Sequence, residues 1–153
     1  SLFIRELGRY KMAFFDSKTS VFQIVDIGGT LRDVSAYIKS IDGLPGGREM
    51  KDVTALGDAG RMHKPVLENV TIKLELMWST DANVGPETIF GPLRTHTAAT
   101  AFDYGLDGKT VGKVKYSGNC WVAEWVAPMR VGELTMGMVT MPVNGVVTRG
   151  TYA

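Results

Sequence analysis

The sequence predicts a mainly β fold: an antiparallel β-sandwich or barrel with one short flanking helix and a long loop or hairpin arm. Three observations lead there. Residues Glu68 to Trp78 alternate with period two, setting Val70, Ile72, Leu74, Leu76 and Trp78 against Thr71, Lys73, Glu75 and Met77. Eighteen Gly and six Pro mark frequent turns. The 153 residues, 44% hydrophobic, match one ordinary domain with its own core.

Along the chain, residues 1–19 read as an N-terminal arm, with residues 1–11 an extension before Met12 as an alternative start. Residues 20–153 read as a single β domain. Ser20 to Asp26 is short, β-branched and closed by Gly28-Gly29, which gives a strand. Leu31 to Ile38 reads as a helical turn feeding a strand over Ile38 to Asp42. Gly43 to Asn69 is too long and too rich in glycine and charge for an idle connection. It is either a hairpin arm (over 43–66) or a wandering surface loop, with Val53-Thr54-Ala55-Leu56 able to pair as a strand. The Glu68–Trp78 strand follows, its wet face of Thr71, Lys73 and Glu75 meeting water or a polar lumen.

Pro86 suits the first helical position and Glu87 suits the positive end of a helix dipole. Gly91-Pro92 should bend or break that helix. Val111 to Ser117 reads as a strand ending in a Ser117-Gly118-Asn119 turn. Cys120 to Ala127 is apolar on both faces, as in a strand covered on both sides. Glu133 to Val143 reads as a long strand, and Asn144-Gly145 as the turn of a hairpin with Val146-Val147-Thr148.

Composition narrows the function. Seventeen basic and sixteen acidic residues give a net charge of +1, without the basic excess of a nucleic-acid binder. No apolar run approaches the roughly 20 residues of a membrane-spanning helix. A single cysteine rules out an internal disulfide and a Cys-based zinc site. His63 and His96 belong to no metal-ligand spacing, and Cys120 sits in an apolar strand where a thiol behaves as a small hydrophobe. Gly28-Gly29 and Gly43-Leu-Pro-Gly-Gly match no phosphate-loop pattern. Lys109, Lys113 and Lys115 read as a solvated strand face. No catalytic residue, metal ligand or cofactor is assigned. Methionines at 50, 62 and 129 lie in or near loops, which hints at adaptable contact surfaces.

Three segments carry a resemblance: Asp33-Val-Ser-Ala-Tyr-Ile-Lys-Ser40, Asp52-Val-Thr-Ala-Leu-Gly-Asp58 and Leu67-Glu-Asn-Val-Thr-Ile-Lys-Leu-Glu75. Their order resembles the tail tube (major tail) proteins of long-tailed bacteriophages. In that family an Asp-x-Ser-x-Tyr element is followed by a Val-Thr-x-x-Gly-Asp segment, a basic residue with Pro, an alternating strand and a helix. Met141-Pro-Val-Asn-Gly-Val-Val-Thr148 also looks like the family's closing hairpin. The resemblance spans Ser20 to Arg149 and departs from the pattern at Gly91-Pro92 and before Met12.

The resemblance implies a non-enzymatic virion protein. Its subunits would form hexameric rings that stack into the tail tube, a conduit for DNA ejection, assembled in the host cytoplasm. Implied partners are copies of itself, the tape measure, tail terminator and distal tail proteins, and DNA in transient, non-specific passage, with no membrane. Leu44, Met50, Val53, Thr54, Leu56, Gly57, Asp58 and Met62 occupy the inter-subunit arm, and Thr71, Lys73 and Glu75 are the candidate lumen face. Two other readings stay open: another virion structural protein (capsid decoration or head–tail joining), and a small ligand-binding β-barrel.

Overall fold

The computed structural model describes residues 4–7, 10–13 and 19–153. The N-terminal arm expected over 1–19 lies in good part outside the described residues. Two short strands are placed there, β1 (Ile4–Leu7) and β2 (Tyr10–Ala13), paired antiparallel.

The chain then builds two facing antiparallel sheets, a mainly β architecture with one α-helix among the described residues, as expected. The first sheet has the order β13-β10-β9-β3-β4, from β3 (Val21–Val25), β4 (Leu31–Asp33), β9 (Thr100–Gly105), β10 (Val114–Cys120) and β13 (Thr148–Thr151). The second has the order β11-β12-β8-β5, from β5 (Ile38–Asp42), β8 (Thr71–Met77), β11 (Glu124–Val126) and β12 (Met136–Pro142). Phe22, Ile24, Phe102 and Tyr104 of the first sheet and Ile72, Leu74, Leu76, Val139 and Met141 of the second fill one core. The eight-residue helix α1 (Pro86–Leu93) adds Ile89, Phe90 and Leu93.

Alternation in β8 holds as read from Val70 to Leu76 and fails at its end. Trp78 lies past the strand and is 38% exposed. Its indole turns out to meet Glu87 of the helix rather than the core. The helix runs through Gly91-Pro92 instead of breaking. Pro92 forfeits one backbone bond, that to the Thr88 carbonyl. The chain closes the next turn with Arg94 N–H to Phe90 O at 3.1 Å.

Four further expectations are corrected. Ser117-Gly118-Asn119 is no turn: it lies within β10, opposite Asp103, Phe102 and Ala101 of β9. Space is tight at Gly118, where a Cβ would stand 3.2 Å from the Val146 carbonyl oxygen and 3.3 Å from the Phe102 ring. The Cys120–Ala127 segment is not one strand covered on both sides. It leaves the first sheet after Cys120, runs beside β12 through Trp121 N–H to Pro142 O (3.0 Å) and Ala123 N–H to Thr140 O (3.0 Å), and joins the second sheet as β11. Trp121, Ala123, Glu124 and Ala127 face solvent. The strand expected from Glu133 begins only at Met136, and Leu134 is exposed. The Asn144-Gly145 turn makes no hairpin between β12 and β13. Gly145 has φ +99°, but the chain crosses between sheets and β13 pairs with β10. Strands β1, β2 and β4 are not assigned from sequence, and neither is β9, which lies between β3 and β10.

The Leu31–Ile38 segment resolves into β4 and a single 3-10 turn (Ser35–Tyr37), with β5 starting at Ile38 as expected.

Candidate functional site: an exposed hairpin and the outer face of the second sheet

Between β5 and β8 the chain forms a separate two-stranded hairpin, β6 (Arg48–Asp52) and β7 (His63–Glu68). Of the two readings of this segment, hairpin and wandering loop, the hairpin is the one observed. Val53-Thr54-Ala55-Leu56 is not a strand, however, but the start of its tip. Short polar side chains capture the backbone there and outcompete a ladder. Thr54 N–H and Oγ1 both donate to Asp52 Oδ1, at 2.9 and 2.5 Å. Met62 N–H donates to Thr54 Oγ1 at 2.8 Å, and Ala55 N–H to Asp58 Oδ2 at 2.7 Å. Arg61 Nη1 reaches Asp52 Oδ2 at 2.7 Å. The Thr54 hydroxyl and N–H, and after them Arg61, hold the Asp52 carboxyl below its usual range.

The hairpin therefore carries its own order, yet its strands are exposed along their length apart from half-covered Glu68 at the base. Met50, Val53, Met62 and Leu67 face solvent, and Leu56 at the tip is fully exposed. Five apolar side chains of this one segment are thus left uncovered by the rest of the described chain. Leu44 is placed differently from the other expected arm residues: it precedes β6 and packs half-buried against the core. At the base Glu68 Oε2 accepts Val147 N–H at 3.1 Å, and Asn69 N–H donates to Gly47 O at 3.3 Å. Gly46, with φ +105°, lies where a Cβ would stand 2.4 Å from Val70 Cγ2. Its missing side chain lets the hairpin leave the sheet so close to β8.

Thr71, Lys73 and Glu75 lie together on the outer face of the second sheet, all exposed. Register brings Lys73 beside Thr140 and Asp42, and Glu75 beside Met138 and Ser40. The face sets three carboxylates, Asp42, Glu75 and Glu124, against the one ammonium of Lys73, with Thr140 and Met138 among them. On the opposite sheet the basic stretch is neutralised locally. Lys109 pairs with Asp33 at 3.3 Å and Lys113 with Asp107 at 3.0 Å, while Lys115 stands 5.5 Å over the Tyr152 ring.

The residues typical of chemistry stay apart. His63 is on the hairpin, His96 follows the helix, and Cys120 is buried with its thiol pushed up to about 12 by desolvation. Among the described residues no three His, Cys, Asp or Glu side chains gather as a metal site. A cavity of about 300 Å³ opens between the sheets where β3 and β5 diverge, its lining mixing Phe22, Ile38, Ile41, Tyr104 and Leu106 with Ser20, Ser35, Ser40 and Lys39. None of His63, His96 and Cys120 lines it.

No protein-family model matches the sequence, and no curated protein does. Solved structures do match it. A chain from the tail of an empty gene transfer agent particle, refined with C6 symmetry, is similar with TM-score 0.69 at 12% identity, over 90% of this chain and 100% of that one. A chain from the PVC extracellular contractile injection system, at its sheath/tube terminator, gives TM-score 0.62 at 10% identity, over 90% and 96%. The fold is tail-tube-like. A chain from the anti-feeding prophage tube-terminating cap shares this tail-tube-like fold with TM-score 0.61 at 11% identity, over 96% and 99%. At such identities the likeness is one of backbone architecture, and no residue role passes across it.

Proposed function

We propose that the protein is a structural subunit of a virion tail. Copies assemble into hexameric rings that stack into a tube through which DNA leaves the particle. The observation that carries this reading is the end-to-end match to a chain of a C6-symmetric tail. The projecting hairpin supports it, because an ordered arm with uncovered Met50, Leu56 and Met62 is costly in a protein that stays alone. Residues 20–153 form the tube domain. The arm residues Met50, Val53, Thr54, Leu56, Gly57, Asp58 and Met62 contact a neighbouring copy, with Leu44 anchoring the arm's root. Thr71, Lys73 and Glu75 face the lumen, where a surface without a net basic excess lets DNA slide rather than bind. Tape measure, terminator and distal tail proteins are the expected companions, in particles assembled in the host cytoplasm. The protein's role is association, and no step of it is catalytic.

The matches to a terminator and a tube cap favour one second reading, a ring that closes a tube instead of extending it. Negative-stain microscopy of the purified protein tests both. Long tubes of uniform width are expected; single rings without stacking support the terminator reading. A protein that stays monomeric at high concentration and in crowding buffers overturns both.

A further inference from the structure

The two edges of the second sheet carry features that match each other. At one edge, the loop between β11 and β12 turns at Arg130–Glu133, borders a hollow with Glu75 and Met138, and leaves Met129 (77% exposed), Val131 (95%) and Leu134 (71%) uncovered. At the other edge, beside β5, lies the cavity of about 300 Å³ between the sheets, where Phe22, Ile38, Ile41 and Leu106 give an apolar part and Ser20, Ser35 and Ser40 a polar one. The knob carries Glu133 and the cavity lining includes Lys39, each exposed and without an ion-pair partner among the described residues.

We propose that the cavity beside β5 receives the Met129–Leu134 loop of a second copy of this chain, with Val131 entering the cavity and Glu133 meeting Lys39. The proposal rests on the self-association reading above and adds the surface through which adjacent copies of one ring join. Knob and cavity sit on opposite edges of one sheet, so a single copy cannot satisfy itself. The contact is heterologous: each subunit offers a knob to one neighbour and a cavity to the other, and such a contact closes into a ring when its rotation allows. Insertion removes exposed apolar surface of the knob and sets Val131 against the apolar part of the cavity, both of which favour association. The charged pair fixes the register, since a shifted copy would face Arg130 to Lys39.

Charge exchange on the full-length protein tests this, with sedimentation velocity reading assembly and thermal melts reading folding. Glu133→Lys and Lys39→Glu change exposed side chains and should leave the melts unchanged. Each should weaken assembly about tenfold or more, because like charges would meet in a desolvated contact. The double variant should recover assembly. So should an equimolar mixture of the two single variants, in which alternating copies meet with opposite charge at every contact. Val131→Asp should abolish assembly with the subunit still folded. Wild-type assembly by Val131→Asp, or a double variant no better than the singles, overturns the proposal and leaves the tail reading standing. A wild-type protein that never assembles overturns the tail reading, and the proposal with it.

Discussion

Glu87 Oε2 accepts the indole N–H of Trp125 at 2.5 Å, and the same oxygen accepts that of Trp78 at 3.3 Å. One carboxylate on the first turn of the helix thereby ties both a β11 side chain and the residue just past β8 to the helix. The Trp125 ring also lies 5.5 Å from that of Phe90 and covers Gly137 of β12, where a Cβ would stand 2.4 Å from it. The helix is thus fastened to the second sheet by one polar clasp and one aromatic plate.

Two substitutions probe that fastening. Glu87→Ala removes the acceptor from two indoles and should cost about 1–3 kcal/mol in urea unfolding. Gly137→Ala forces the Trp125 ring off the sheet and should cost about 1–3 kcal/mol, with a red-shifted tryptophan emission. Wild-type stability for both would show the clasp to be idle.

The two faces of β8 give a second contrast. Leu74 is 2% exposed in the core, while Lys73 projects from the outer face. Leu74→Ala should cost about 2–5 kcal/mol. Lys73→Ala should fall within about 0.5 kcal/mol of wild type. Chemical denaturation of the two variants side by side measures the difference, and equal losses would contradict the buried face described here.

Cys120 supplies a pH signature. Its buried thiol is pushed from the usual 9.0 up to about 12. In the unfolded chain the thiol ionises near 9, whereas in the folded protein it stays protonated. Between those values the folded state binds more protons, so stability falls as pH rises. Cys120→Ala removes this contribution. Its stability, whatever the offset from the cavity it leaves, should decline less steeply than wild type above pH 9. Denaturant midpoints measured from pH 8 to 11 would show the two curves converging, and parallel curves would contradict a desolvated thiol. Below pH 9 the native thiol should resist a disulfide reagent until the protein unfolds.

How much of this was legible in the sequence depended on where each residue's partners lie. The β8 alternation was readable because the strand is buried on one face and wet on the other, so burial repeats its own period. The helix start was readable from Pro86 and Glu87, which act locally. Gly118 was misread because a glycine that makes room for Phe102 looks, in sequence, like one that makes a turn. Asn144-Gly145 was misread for a related reason: a turn is visible locally, but the strand that β13 joins is not. β9 was missed although Thr100, Phe102 and Tyr104 alternate, since Ala101, Asp103 and the flanking turns dilute a six-residue pattern. At the candidate site, the length and composition of 43–66 announced an arm. That Thr54 and Asp58 would fold the tip back on itself could not be seen without the Asp52 and Ala55 contacts.

The hairpin gives the most consequential prediction. Its strands pair with each other and, among the described residues, with no other strand, so removing it subtracts little from the core. Replacing residues 49–67 with Asn-Gly keeps Arg48 and Glu68 at the base, and with them the Glu68 to Val147 bond. A shorter connection also lowers loop-closure entropy, and the net effect on subunit stability should be within about 1 kcal/mol. The same deletion takes away Met50, Leu56 and Met62, the uncovered apolar groups that a neighbouring copy would bury. Tube growth should stop while a folded, soluble subunit remains. Thermal melts and electron microscopy on this variant separate the outcomes. Normal tubes would mean the arm is dispensable, and the inter-subunit role would be lost. An unfolded subunit would instead place the hairpin within the folding unit, against the exposure seen along its strands.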